Sequence, residues 1–337
     1  MFKNLVILKI QPGWTITAQQ ASEAVEAHRF TPTEPTQEMS IGWVEPRGED
    51  HAELVESVDG ELILKLMMET RSVATGAVLK KAKEAAAKIE AETGRIPGKK
   101  EMKALREEAL LSLLPTAHPV QASFLIWIDR ASGFVAIDAN TQGKVDEVVT
   151  TVVRTFGGMA VSQLSTNIEP SIAMKQWLLG LASEETPENF SIDRDCELKS
   201  TGKEGGGVKY QRHNLDCEEV RNHIVQGLKP TKLAITWNDR LSFVLTDSLA
   251  LRKLKFLDVV FDNKDADAER GFDADVALVT GELKQLIPDL IKVLGGSQQL
   301  DRSPASDVTG EASNSDSAAG VDQVTMSRQA AHEEATA

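Results

Sequence analysis

The segment from Ala77 to Leu114 limits what this chain can fold into more than any other. It is rich in Ala, Lys and Glu, which are strong helix formers. Its first half, Ala77 to Glu92, holds only three large apolar residues, Val78, Leu79 and Ile89. So thin a stripe cannot pack deeply against a core, so this helix is expected to stand mostly in solvent. Thr93-Gly94 ends it, and a second helix is predicted from Lys99 to Leu114, stopped by Pro115. The second helix closes on Leu110-Leu111-Ser112-Leu113-Leu114, which is greasier. The two together predict a helical hairpin that projects from a body, basic along its length and sticky at one end. From Arg71 to Arg106 there are ten Lys and Arg against four Glu. Two readings of these cations stand side by side: a solvated face with Lys–Glu pairs at i,i+4, or a surface for phosphate.

Strand-like runs flank the hairpin. Glu61 to Met68 and Ser123 to Asp129 are rich in Leu, Ile and Met, and Gly133 to Asp138 reads as a return limb. Lys232 to Trp237 and Leu241 to Asp247 predict another β-hairpin, with a further strand from Leu251 to Asp258. The two turns resemble each other: Trp127-Ile128-Asp129-Arg130 leads to Phe134, and Trp237-Asn238-Asp239-Arg240 leads to Phe243. Internal duplication of an α+β unit and shared turn chemistry both account for this. Several helix ends are marked. Thr17 and Gln20 form a capping box for a helix to His28. Ser171 is the expected cap of a helix to Leu179, and Asp216 with Glu219 a weaker box for a helix to Gln226. Leu283, Leu286, Ile287, Leu290, Ile291 and Leu294 form one apolar helix face, interrupted by Pro288. The fold class expected is α+β.

The chain has 337 residues with formal net charge −14, two Cys and 41% hydrophobic residues. That excludes a disulfide scaffold, a wholly disordered chain and a generally cationic packing protein. Nucleic-acid binding survives, because phosphate responds to local charge. Residues 301–337 carry seven acids and two Arg and almost no large apolar residues, so a disordered acidic tail is expected there, solubilising or mimicking nucleic acid. The N-terminal apolar run, Leu5 to Leu8, is too short for a secretory signal, and no run approaches a membrane span. A soluble cytoplasmic protein with reduced thiols is expected.

Catalytic readings fail on spacing. Gly202 to Lys209 is Gly-rich, but Val208 separates the last Gly from Lys209, so it is not a phosphate-binding P-loop. Asp265, Asp267 and Glu269 begin a calcium-loop spacing, but Arg270 and Val276 occupy the positions that need Gly and Glu. With Asp258, Asp262, Asp273 and Asp275 the same carboxylates leave a two-metal nuclease as an alternative. Cys196, His213, Cys217 and His223 match no compact zinc spacing. No catalytic residue, metal or cofactor is expected. A second basic cluster, Lys209, Arg212, His213 and Arg221, spans an extended stretch and the start of a helix.

Several short segments occur in a consistent order: Phe2-Lys3-Asn4-Leu5, Gly42-Trp43-Val44, Ser112-Leu113-Leu114-Pro115 and Trp127-Ile128-Asp129. Asn222-His223-Ile224, Thr231-Lys232-Leu233-Ala234, Leu254-Lys255-Phe256, Phe272-Asp273-Ala274-Asp275 and Thr280-Gly281-Glu282-Leu283 follow. As an ordered set, reaching about Gly296, they resemble the bacterial recombination-associated RdgC family. The resemblance implies a non-enzymatic protein whose homodimeric ring encircles double-stranded DNA with little sequence preference. It implies association with the nucleoid and restraint of RecA-type recombinase filaments, with no membrane. It also implies a central mixed body over 1–75 and 120–170, a helical tip over 76–119 and a β-rich base over 171–296; the acidic tail, 297–337, lies beyond the resemblance. Tip would meet tip and base meet base. By the resemblance, Lys80, Lys88, Arg95, Lys99 and Arg106 on the tip and Arg212 in the second cluster match basic family positions; with Lys100, Lys209 and His213 from the same basic clusters, they are the residues expected to face DNA. Leu113, Leu114 and His118 form the dimer gate. The family can place an aromatic where His118 stands, so this gate is expected to be weaker, or sensitive to pH near neutrality. A metal-dependent nuclease and a protein-only recombination adaptor are the competing functions.

Overall fold

Two long runs, Leu- and Ile-rich toward the body, organise the first sheet. β4 (Glu61–Arg71) and β5 (Pro119–Asp129) pair antiparallel along their whole length, from Leu62 opposite Ile128 to Arg71 opposite Pro119. β6 (Phe134–Ile137), β1 (Val6–Ile10) and β7 (Val161–Gln163) extend the sheet on one side. On the other, β2 (Met39–Val44) and β3 (Val55–Val58) share the free edge of β4. The result is a seven-stranded antiparallel sheet. The computed structural model describes residues 2–49, 51–180, 187–200, 202, 205–261 and 271–298. The expected tail from residue 299 on, the 262–270 carboxylates and residues 203 and 204 of the Gly-rich stretch lie outside them; Ser297 and Gln298, placed in the tail by the sequence, instead pair with Thr166 and Ser165. All the described residues fall in one compact unit ending at Gln298.

The period-2 alternation of the strands buries both faces of this sheet. One face, with Leu62, Leu64, Leu66, Phe124, Ile126 and Ile128, packs on α1 (Ala18–Glu26) and α4 (Gln142–Thr155). The capping box at Thr17 and Gln20 is formed. The other face, with Ile7, Ile63, Trp127 and Ala136, joins a second core. That core also holds α5 (Pro170–Gly180), α6 (Glu218–Val225), α7 (Phe272–Val293) and the inner face of a second sheet. The second sheet is antiparallel, in the order β12 (Leu251–Phe256), β11 (Leu241–Thr246), β10 (Leu228–Trp237), β8 (Phe190–Ser200), β9 (Gly207–Tyr210). A bridge between Leu5 and Leu251 stitches the two sheets together.

α7 braces both sheets with charge as well as apolar surface. Its Asp273 pairs with Arg47 at 2.6 Å, its Lys284 with Glu61, and its Glu282 with Arg240. Trp127 donates its indole N–H to Glu61 at 2.6 Å, and Trp237 donates to Asp289 at 3.0 Å. The two look-alike β-hairpins therefore share a Trp-to-carboxylate bond. Their turns differ: Asp129 pairs with Phe134, but Trp237 pairs with Leu241 across a tighter turn with positive φ at Asn238 and Asp239.

Two helix starts depart from expectation. α5 begins at Pro170, so Ser171 lies inside its first turn. Proline favours that first position because it has no N–H to satisfy. α6 has Cys217, not Asp216, at its N-cap position, with no side-chain capping bond, and the Asp216 carboxylate instead accepts from Arg221 at 2.6 Å.

Candidate nucleic-acid interface

The helical hairpin sits inside the β4–β5 connection. The chain leaves the ribbon at Arg71, forms α2 (Thr75–Thr93) and α3 (Lys99–Leu113), passes a short 3-10 turn and returns at Pro119. Near the body the ribbon is buried; toward the hairpin Pro119, Val120 and Gln121 are exposed. A polar network holds this root. The Arg71 guanidinium donates to Thr33 Oγ1 at 2.8 Å and to the Ala117 carbonyl at 2.9 Å. The Glu69 carboxylate accepts from the Thr33 amide and hydroxyl, at 2.8 and 2.6 Å, and from Gln121 at 2.7 Å. Those donors hold its carboxyl below the usual carboxylate range.

Beyond the root almost nothing is buried. α2 buries only Ala82 and α3 only Ala109, with Leu114 buried where the hairpin meets the ribbon. The predicted helix limits hold to within two residues. The cations Lys80, Lys81, Lys83, Lys88, Arg95, Lys99, Lys100, Lys103 and Arg106 are all exposed. Arg95 pairs with Glu101 at 3.0 Å, and Lys103 with Glu107 at 3.7 Å. The other seven have no ion pair among the described residues, so the Lys–Glu lattice that would explain a merely solvated face is mostly missing. Of the three gate residues, Leu113 is half-buried, His118 is exposed, and Leu114 is fully buried within the chain. The exposed leucine at this end is Leu111, 53% accessible.

The second basic cluster lies on the outer side of the second sheet. Lys209, Arg212 and His213 are exposed. Arg212 has positive φ, and its amide donates to Asp195 at 2.8 Å. The His213 ring lies tilted against that of Tyr210, centroids 5.3 Å apart, and the Tyr210 hydroxyl lies 2.6 Å from His223 Nδ1. Arg221 is spent on Asp216.

Sequence reasoning missed most of this surface. The ladders place Lys209 and Lys232 on either side of Glu197, Lys199 directly opposite Lys229, and Lys255 opposite Ser242. Glu197 accepts from Lys232 at 2.8 Å and pairs with Lys199 at 2.9 Å, which brings its carboxyl down to about 2. Lys229, Lys253 and Lys255 are exposed with no ion pair among the described residues. Like charges directly opposite in a sheet repel, and a bound anion would offset that cost. The sequence held no clear signal for it: at a period of two Arg252 shares a side with Leu254 and Phe256, and only a β-bulge, with Lys253 at positive φ, breaks that alternation.

Catalytic constellations fare poorly. Cys196 is buried, and burial pushes its thiol up to about 12. Among the described residues no group of three His, Cys, Asp or Glu side chains could hold a metal ion. Of the candidate nuclease carboxylates, Asp273 is bound to Arg47. A concavity of about 660 Å³ lies beside Trp14 and Arg130, but the guanidinium is occupied by the carbonyls of Gly60 and Ile16. No described helix is long and apolar enough to cross a membrane.

A family model described as "Putative exonuclease, RdgC" matches residues 1–297. A recombination-associated protein RdgC from Herminiimonas arsenicoxydans is 38% identical over 300 residues, 88% of this chain and 98% of the relative. Those from Cupriavidus necator and Bordetella pertussis are 36% and 35% identical, covering 88% and 89% of this chain and 99% of each relative. The shared segment thus takes in the hairpin, both sheets and α7, and the chain belongs to the RdgC family of recombination-associated proteins.

Proposed function

We propose that this protein acts in recombination by binding double-stranded DNA without reading its sequence. It does so as a homodimeric ring, closed tip to tip and base to base around the duplex. It associates with the nucleoid and restrains RecA-type recombinase filaments by occupying their DNA. The observation that carries this reading is the hairpin: seven exposed, unpaired cations on a projection that buries almost nothing, in a chain of net charge −14. Phosphate contacts position a protein on DNA but carry no base information, which suits a base-blind binder. The lysines of the second sheet extend the same surface chemistry. Leu111, Leu113 and His118 are the tip contacts that Leu114, being internal, does not supply.

A gel shift over a salt series tests the reading. With about six phosphates neutralised, log K is expected to fall with log salt at a slope of about −5. Reversing Lys99, Lys100 and Arg212 to Glu is expected to lower affinity at least about tenfold at low salt. A salt-insensitive affinity overturns the phosphate reading. Closed circular DNA should retain the protein longer than linear DNA of equal length, and equal retention overturns the ring.

The family model's description favours a second reading, an exonuclease. Incubation of linear DNA with the protein and Mg²⁺ or Mn²⁺ separates the two. Binding without shortening supports the ring, and end-dependent shortening supports the nuclease.

A further inference from the structure

The far end of the hairpin is built unlike the rest of the surface. α2 ends at Gly94, whose φ of 68° is the left-handed conformation glycine adopts freely, and its N–H caps the helix on the Glu90 carbonyl. Arg95, Ile96 and Pro97 follow, and Gly98 is the N-cap of α3. Pro97 is buried, and a residue before proline is held extended. The chain therefore fixes Ile96 at the turn, where its side chain is 73% exposed. No other isoleucine among the described residues approaches that exposure. Among its sequence neighbours Arg95 is paired with Glu101 and Lys103 with Glu107, while Lys99 and Lys100, on the first turn of α3, are unpaired; Glu92 stands on the last turn of α2.

An apolar residue alone at an apex says little. An apolar residue held rigidly among cations says more, because the cations select its occupant. A second copy of the same apex would be repelled by like charge, whereas a duplex offers phosphates for the cations and a stacked apolar interior for the isoleucine. Proteins that bend DNA from the minor groove combine these parts, with Arg or Lys on the backbone and an apolar wedge between base pairs.

We infer that Ile96 is a DNA-bending wedge: the hairpin apex enters the minor groove, the unpaired Lys99 and Lys100 take the flanking phosphates, and the Ile96 side chain partly unstacks one base step. The inference rests on the DNA-binding reading above and adds to it a deformation that phosphate contacts alone do not produce. The wedge favours steps that unstack easily, the pyrimidine–purine steps, without base-edge contacts.

The test uses the full chain and a duplex of about 30 base pairs carrying a donor and an acceptor dye at its ends. A second duplex carries 2-aminopurine at a central TA step. Binding of the parent protein should raise energy transfer and 2-aminopurine fluorescence. Ile96→Ala should abolish both signals while affinity falls by no more than about threefold, since the phosphate contacts persist. Ile96→Phe should keep them. Lys99→Glu with Lys100→Glu should instead lower affinity at least about tenfold. If the parent binds but neither bends nor unstacks the duplex, or if Ile96→Ala bends it as the parent does, the wedge is overturned and DNA binding stands. If Ile96→Ala alters the sedimentation of the protein without DNA, Ile96 is a protein contact and the wedge is again overturned. If the parent binds no duplex, the DNA-binding reading falls first.

Discussion

The body and the tip of this molecule solve opposite problems. The body buries both faces of a seven-stranded sheet, one under α1 and α4, the other against α7 and a second sheet. Its stability comes from apolar area removed from water. The tip buries Ala82, Ala109 and Leu114 and little else. It is held by helix propensity in two helices near the length at which isolated helices become marginal, and by the Arg71 and Glu69 network at its root. The difference teaches where substitutions act: in the body they change stability, and in the tip they change what the surface binds.

The sharpest way to break that contrast is to cut into the body. Trp127→Ala removes a buried indole and the donor that Glu61 accepts from, so a loss of about 4 kcal/mol is expected in denaturant melts. DNA affinity of the folded fraction should not move. Arg240→Ala is next. It leaves Glu282, which is buried and held by Nε at 2.8 Å, without its partner, and about 3 kcal/mol should be lost. Replacing both partners by apolar residues of similar size should recover much of that. Gly94→Ala forces a side chain into a left-handed turn and should cost about 1 kcal/mol. The loss should appear both in the global denaturant melt and as faster amide exchange in α2 and α3. The smallest effect concerns acid. Glu197 is brought down to about 2 by Lys232 and Lys199, from an ordinary value of 4.5. Its contribution is therefore complete above about pH 4.5 and lost as pH falls toward 2. Glu197→Gln should flatten that part of the stability profile in denaturant midpoints measured between those limits.

How much of this was legible depended on how local the signal was. The tip helices could be read to within two residues because propensity, Gly94 and Pro115 all act within a few positions. The capping box at Thr17 was equally local. The outer halves of β4 and β5 were not expected, since Thr70, Arg71, Pro119 and Gln121 do not look like core strand; the ladder and the root network carry them. α7 starts at Phe272, well before the apolar face that marks it, because its first turns are braced by Asp273 on Arg47 as well as by apolar contact. The basic face of the second sheet was seen only at Lys209, Arg212 and His213. Lys199, Lys229 and Lys232 come from two strands, and only register brings them to the same end of the sheet as Lys209. Leu114 read as sticky and proved internal, because greasiness alone does not say which side of a helix end faces the chain.

The insertion of the tip within the β4–β5 connection has a kinetic consequence. Pairing Arg71 with Pro119 directly would require closing a long disordered loop, an entropic cost that slows non-local pairing. A helical hairpin forms from local contacts in microseconds and brings its two ends together at the root. The tip then works as a clasp that shortens the search between the two longest strands of the sheet. Gly94→Ala should accordingly slow refolding more than it speeds unfolding, a signature of contacts already made at the barrier, and chevron plots of the two proteins would show it.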